Sequence, residues 1–211
     1  GDLNQGIYFC ISASAYNINA DVDKTMLSSL STLQAAGIYG AAYRFIDVGS
    51  APIYALMGAA YARFFQQGAS GINATFKFAK SLLPFAIAYS ILILLSYQIF
   101  APFVPKILGQ EYVDAVDTLR WLAPIPCIAI FQLLAADTLT GAGFQKVRSF
   151  IQAGAAILNI TLNFWLIPLY SWKGAAFSTL ISDTLRAICL WLWVFVLVRR
   201  QSNNKIINTQ D

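Results

Sequence analysis

Several stretches of this chain place ionisable groups inside runs that are otherwise apolar. Asp183 and Arg186 stand three residues apart in "GAAFSTLISDTLRAICLWLWVFV", so they share one helix face. Asp183 lies ten residues after Lys173, about 15 Å at helical rise, which puts it deep in the run. Arg44 and Asp47 repeat the spacing with the signs reversed, and Asp137 sits in "IFQLLAADTLTG". "NADVDKT" gathers Asp21, Asp23 and Lys24 within four residues. Asn159 and Asn163, four apart, make a polar stripe on a fifth run. Such groups are costly in an apolar medium and usually face a bundle interior or a wet cavity. A single Asp–Arg pair can simply neutralise itself. Charges in four runs out of six point instead to a shared polar cavity. The asparagines have two readings: hydrogen bonds to a neighbouring helix, or the lining of a polar path.

Catalysis fits poorly. The chain has no histidine, which removes His-ligated metals and Ser-His-Asp chemistry. Its three cysteines, Cys10, Cys127 and Cys189, have no metal-ligand spacing and read as small buried hydrophobes. No nucleophile–base pattern accompanies the charges. The expectation is a non-enzyme with no cofactor and no metal.

The elements that hold these residues follow from composition. The 211 residues are 58% hydrophobic and 11% charged, against about 25% charged in soluble domains. Mean hydropathy is +0.60. No Asp, Glu, Lys or Arg occurs between Lys80 and Lys106. That is long enough to cross a hydrocarbon core of roughly 30 Å. Six spans are predicted, over 6–32, 37–65, 81–103, 118–142, 150–168 and 174–198, followed by a polar tail over 201–211. The runs are continuously apolar, which argues against a barrel. The first span requires "NADVDKT" to lie mid-span, because Ile7 to Ile18 alone is too short. Pro52, Pro84, Pro124 and Pro126 lie in or near the starts of spans and can kink them. Pro168 is read as ending the fifth. Chain start at Gly1 is read as the loss of a preceding part of a longer protein.

Six spans put alternate loops on opposite sides. One side receives Arg63, Lys77, Lys80, Lys146, Arg148, Arg199, Arg200 and Lys205, and the other only Lys106, Arg120 and Lys173. Eight against three makes the first side cytoplasmic, with both ends of the chain. "QQGASGINATFKFAK" is then a cytoplasmic link that could lie on the membrane surface. "GQEYVDAVDTLRW" becomes an outer loop. Trp191 and Trp193 are expected near the inner interface, and Trp121, Tyr170 and Trp172 at the outer one.

Three stretches together resemble a known family. "AAGIYGAAYRFIDV" resembles the opening of the second helix in each half of the polysaccharide flippases. "KILGQEYVDAVDTLRWLAP" resembles their outer loop and following helix start. "NITLNFWLIPLYSWKGAAFSTLIS" is similar to their "NxxLNxxLIPxxGxxGAAxATxxS" signature, with Ser171 where the family usually has glycine. These are the lipid-linked oligosaccharide flippases, O-antigen type, of the multidrug/oligosaccharidyl-lipid/polysaccharide exporter superfamily. The resemblance covers nearly the whole chain. It implies an all-α membrane protein, a bundle of six transmembrane helices forming the second half of a twelve-helix inverted-V transporter. It also implies a mid-membrane place for "NADVDKT".

The implied function is movement of a polyprenyl-diphosphate-linked oligosaccharide across the bacterial inner membrane by alternating access, for surface polysaccharide biosynthesis. The implied partners are that substrate, the missing N-terminal half and membrane lipids, with no nucleic acid. Lys24, Arg44 and Arg186 would attract the diphosphate or acidic sugars. Asp21, Asp47, Asp137 and Asp183 would carry protons or balance charge. Asn159 and Asn163 complete the candidate cavity set. A multidrug or metabolite exporter of the same superfamily is the alternative. A membrane enzyme would need a larger extramembrane loop than the dozen residues available, and a purely structural subunit would leave the buried charges dispensable.

Overall fold

The computed structural model describes residues 22–207, with side chains through 203, and these residues form helices joined by short turns. Asp21, Cys10 and most of the first predicted span lie outside the described residues. Helix α1 is described over residues 22–30. It is followed by α2 (Leu33–Gly68), α3 (Ile72–Phe100), a 3-10 turn, the short α4 (Val104–Leu108) and a second 3-10 turn. Then come α5 (Asp114–Leu122), α6 (Ile125–Gly141), α7 (Gln145–Tyr170) and α8 (Trp172–Ile207). No strand occurs among the described residues.

Local chemistry sets the ends. The Thr32 hydroxyl caps α2 by accepting from the Ala35 amide at 3.1 Å, which satisfies one of the orphan donors of a helix start. Pro126 occupies the first turn of α6, where its missing N–H costs no helix bond. The segment read as an outer loop is itself helical. Asp114 and Asp117 lie in the first turn of α5 and Arg120 in its last, signs that suit the helix dipole. The link read as lying on the membrane surface is also corrected. Only the turn at Ala69–Gly71 separates α2 from α3, and "INATFKFAK" forms the first turns of α3. Nor does Pro168 end α7. The helix runs on to Tyr170 and breaks at Ser171, whose φ is 54°.

α6 sits at the centre, packed on α2, α3 and α8, while α7 packs most extensively on α8. Small residues permit the closest approaches. A Cβ on Gly174 would lie 2.2 Å from the Leu166 carbonyl oxygen, so only glycine lets α8 start against α7. Ala175 and Ala176 behind it are fully buried. At the other end α2 crosses α6 backbone to backbone. A Cβ on Gly141 would lie 2.4 Å from the Phe64 carbonyl oxygen. Pro52 interrupts α2, and α3 braces that region with two tyrosines. Tyr97 donates to the Phe45 carbonyl at 2.6 Å and Tyr89 donates to the Gly49 carbonyl.

The outward surface is apolar. On α3, Leu92, Leu95 and Ile99 are exposed, and on α7 so are Ile157, Phe164, Trp165 and Leu169. A soluble protein rarely exposes so continuous an apolar surface. Four helical stretches, Ile72–Leu108, Asp114–Gly141, Gln145–Tyr170 and Trp172–Asn203, are long and apolar enough to cross a membrane. These features are compatible with a multi-pass membrane protein. Trp191, expected near the inner interface, is half-buried; it packs against the core and donates to the Phe131 carbonyl at 3.1 Å. Cys189 is exposed and Cys127 half-buried, so neither is the enclosed hydrophobe that was expected. α8 continues past residue 198, and Gln201 accepts from the Asn73 amide at 3.0 Å, so the polar tail begins as packed helix.

The glycine crossing is directly testable. Gly141→Ala forces backbone apart and should lower unfolding free energy by about 1–3 kcal/mol. Gly58→Ala, with nothing within 4 Å of the new Cβ, should instead stabilise α2 by about 0.5–1 kcal/mol. Thermal unfolding of the purified chain in detergent reads both.

Candidate functional site

The charged and polar residues sort into three buried groups and one exposed set. The first group centres on Asp23, which has no exposed surface. Leu27, one turn on, is equally buried, so both belong to the inward face of α1. The Asp23 carboxylate accepts from the Thr179 hydroxyl of α8, from Asn163 Nδ2 of α7 at 2.5 Å and from the Tyr39 hydroxyl of α2 at 3.4 Å. Asn163 Nδ2 also donates to Asn159 Oδ1 at 3.0 Å, and Asn159 Nδ2 to the Ser182 hydroxyl at 3.3 Å. Four helices therefore meet on one carboxylate. The Asp23 carboxylate, ringed by hydroxyl and amide donors, is a group able to take up and share a proton.

The second group lies one turn further along α8. Arg186 Nη2 donates to Asp183 Oδ1 at 2.7 Å, and Arg186 Nε to Gln132 Oε1 at 3.0 Å. Gln132 Nε2 returns a bond to the Asp183 backbone carbonyl at 2.7 Å. All three residues are buried. This ring of two side chains and one helix carbonyl fixes the guanidinium in a bidentate setting that lysine could not reproduce.

The third group is Asp137 with Arg148. Arg148 Nη1 reaches Asp137 Oδ1 at 3.0 Å and the Thr140 hydroxyl at 2.8 Å. The sequence placed Arg148 in a loop and Asp137 in the cavity. The structure instead folds the arginine back from the start of α7 onto α6, so Asp137 serves a helix–helix contact and lines neither cleft described below.

Two openings flank α2. A cleft of about 60 Å³ is lined by Tyr43, Asp47, Ser50 and Tyr54 of α2, by Gln132 of α6, and by Thr179, Asp183 and Arg186 of α8. A larger opening of about 420 Å³ is lined by Lys24, Gly37, Gly40, Arg44, Leu108 and Tyr112. Lys24 Nζ lies 4.9 Å from the Tyr43 ring centroid, a cation–π distance that ties the two openings together. Arg44 and Asp47 are exposed. Of the sequence-derived candidates, Asp47, Asp183 and Arg186 therefore share one cleft, and Lys24 and Arg44 share its neighbour. Asn159 and Asn163 are fully buried between helices, and Asp21 lies outside the described residues.

Thr179, Ser182, Gln132 and Tyr39 were not singled out from the sequence, and Asp23 was named beside Asp21 but not among the cavity candidates. Asp23 was detectable, because 23, 27 and 30 follow the apolar helical period while 21 does not. Thr179, Ser182, Asp183 and Arg186 repeat the same 3-4 spacing on α8. No family model, no curated protein and no solved structure matches the chain.

The Asp137–Arg148 contact predicts a coupled pair. Asp137→Leu or Arg148→Leu alone strands a buried charge and should lower stability by about 3–5 kcal/mol. The double variant should lie well above the sum of the two losses. Unfolding in detergent across the four-member cycle measures the coupling, and strict additivity would contradict the pair.

Proposed function

We propose that this chain forms half of a flippase that moves a polyprenyl-diphosphate-linked oligosaccharide across the bacterial inner membrane by alternating access. The observation that carries the reading is the placement of Arg44 and Asp47. Both stand exposed on a long helix whose neighbours expose large apolar side chains. A charge facing lipid is expensive, so that face of α2 meets water or a second bundle. The resemblance to the oligosaccharide flippases supplies such a bundle in the form of an N-terminal half.

The division of labour follows from the partners. Lys24 and Arg44 line the wider opening and supply positive charge for a diphosphate. Arg186 is already held by Asp183 and Gln132, so it shapes the cleft and presents little free charge. Tyr43, Tyr54 and Gln132 offer ring faces and amide groups suited to sugars. The lipid tail would run along the apolar outside of the bundle. The basic residues Arg63, Lys77, Lys80, Lys146, Arg199 and Arg200 lie toward the end where α2 ends and α7 begins, which supports reading that end as cytoplasmic. A multidrug or metabolite exporter is the second reading. Asp47 at the cleft favours it, because an exposed acid would draw cationic compounds.

Arg44→Ala in the full-length protein should abolish or sharply reduce polymer assembly in a flippase-deficient strain while protein level stays normal. Arg186→Ala should lower protein level as well, because it leaves Asp183 buried without its partner. Normal assembly with Arg44→Ala at normal level would overturn the anion-binding role. Increased dye sensitivity of the host with intact polymer assembly would favour the exporter.

A further inference from the structure

Helix α7 carries an unusual seam. Gln145, Ser149, Gln152, Ala156, Asn159 and Asn163 follow the 4-3-4-3-4 spacing of one helix face, and all are buried. The seam spans eighteen residues, about 27 Å at helical rise. A buried face of this length is ordinarily filled with apolar side chains, or with polar ones that bond to each other.

Here the bonding is incomplete. Both amide atoms of Gln145, Gln152 Oε1, Asn163 Oδ1 and Arg148 Nε have no hydrogen-bond partner among the described residues. The sixth such atom, the Ser90 hydroxyl, lies on α3, so five of six belong to α7. Several buried hydroxyls on other helices are satisfied by their own backbone. Thr138, Thr140 and Ser178 each return a bond to a carbonyl one turn earlier. Amide groups buried along one continuous face without protein partners are the usual surroundings of ordered water.

The seam has two distinct ends. One is the α6–α7 turn, where Lys146 and Arg148 stand at the start of α7. The other is Asn163, which donates to the Asp23 carboxylate. We propose that the α7 seam is a hydrated route by which water, and protons with it, reach Asp23 from the α6–α7 end of the bundle. The groups facing Asp23 along that route are Asn163 from α7, Thr179 and Asp183 from α8 and Tyr39 from α2, with Lys24 next to it on α1. A hydronium arriving along the waters gives its proton to the carboxylate, leaves water behind and turns one acceptor oxygen into a donor. With the proton on Oδ2, Thr179, which donates to that oxygen and also lines the cleft, becomes the acceptor and gives its own hydrogen to the Ala175 carbonyl. Proton arrival at the seam's end is in this way felt at the cleft wall.

The use of that proton rests on the transporter reading, but hydration of the seam does not. The test therefore needs no substrate. Ala155 and Ala156 are adjacent and equally buried, each 7% exposed, yet only Ala156 lies on the seam. In a chain with Cys10, Cys127 and Cys189 changed to Ala, A155C and A156C introduce the same side chain at the same depth. A small charged methanethiosulfonate reagent is applied from the α6–α7 side of membrane vesicles. A thiol kept from water holds its proton, and each pKa unit costs about tenfold in reactive thiolate. A156C should react at least about tenfold faster than A155C on that basis. Adding Q152L should slow A156C while leaving S149C, nearer the entrance, unchanged. Equal rates at 155 and 156 would overturn the hydrated seam. A fast A156C indifferent to Q152L would overturn the route from this end. Labelling as expected, with normal polymer assembly in the full-length Q152L variant, would count against use of the proton in transport alone.

Discussion

The Asp23 carboxylate has no contact with solvent, and a carboxylate so placed must be satisfied by the protein around it. Its partners come from three other helices: Tyr39 of α2, Asn163 of α7 and Thr179 of α8. Between apolar helices in a lipid-like medium there is little hydrophobic force to choose one packing over another. Polar contacts and small-residue approaches must set the arrangement. Asp23 fixes how α1 sits against the α7–α8 hairpin, and Gly174 lets that hairpin close. A second link between α1 and α7–α8 lies at the far end, where the Ser31 and Ser171 hydroxyls meet at 2.8 Å. Ser171 holds a left-handed backbone that favours glycine. The Ser31 bond gives a physical reason for serine at a position where the resembling family has glycine.

With that frame in place, the remaining charges divide by what they touch. Asp137 pairs with Arg148, and Asp183 with Arg186 and Gln132. They hold α6 against α7 and α8. Arg44 and Asp47 project from the exposed side of α2 instead. A helical chain that buries some charges with care and exposes others on a long helix such as α2 has a surface that is neither core nor lipid-facing. That asymmetry is the physical basis for reading α2 as the wall of a pathway.

Much of this was legible in the sequence. Continuous apolar runs and a lack of charge gave an all-helical chain, and Gly174-Ala175-Ala176 marked a close helix start. The i,i+3 spacing of Asp183 and Arg186 gave their pairing. What failed was whatever depended on helix boundaries or on distant partners. "GQEYVDAVDTLRW" looked like a loop because it is acidic, yet its charges sit at the ends of α5 that favour them. "INATFKFAK" looked interfacial because Phe and Lys alternate, yet it continues α3, with Lys80 over the Phe76 ring at 4.6 Å. Arg148 looked like a loop cation because nothing in its own segment shows that Asp137 lies within reach. Asp21 and Lys24 were taken as candidates from "NADVDKT", although 23, 27 and 30 share the inward period.

The central proposal is that this fold, paired with a second bundle, carries an anionic lipid-linked sugar between leaflets. The most direct measurement is leaflet exchange in vesicles reconstituted with the full-length protein. A fluorescent polyprenyl-diphosphate oligosaccharide is added to both leaflets, and the outer pool is destroyed by an impermeant quencher. The account predicts that the inner pool also becomes quenchable, far faster than in protein-free vesicles, and that an uncharged polyprenyl glycoside of the same length exchanges much more slowly. An inner pool as protected as in protein-free vesicles, or equal exchange of the charged and uncharged lipids, would contradict it.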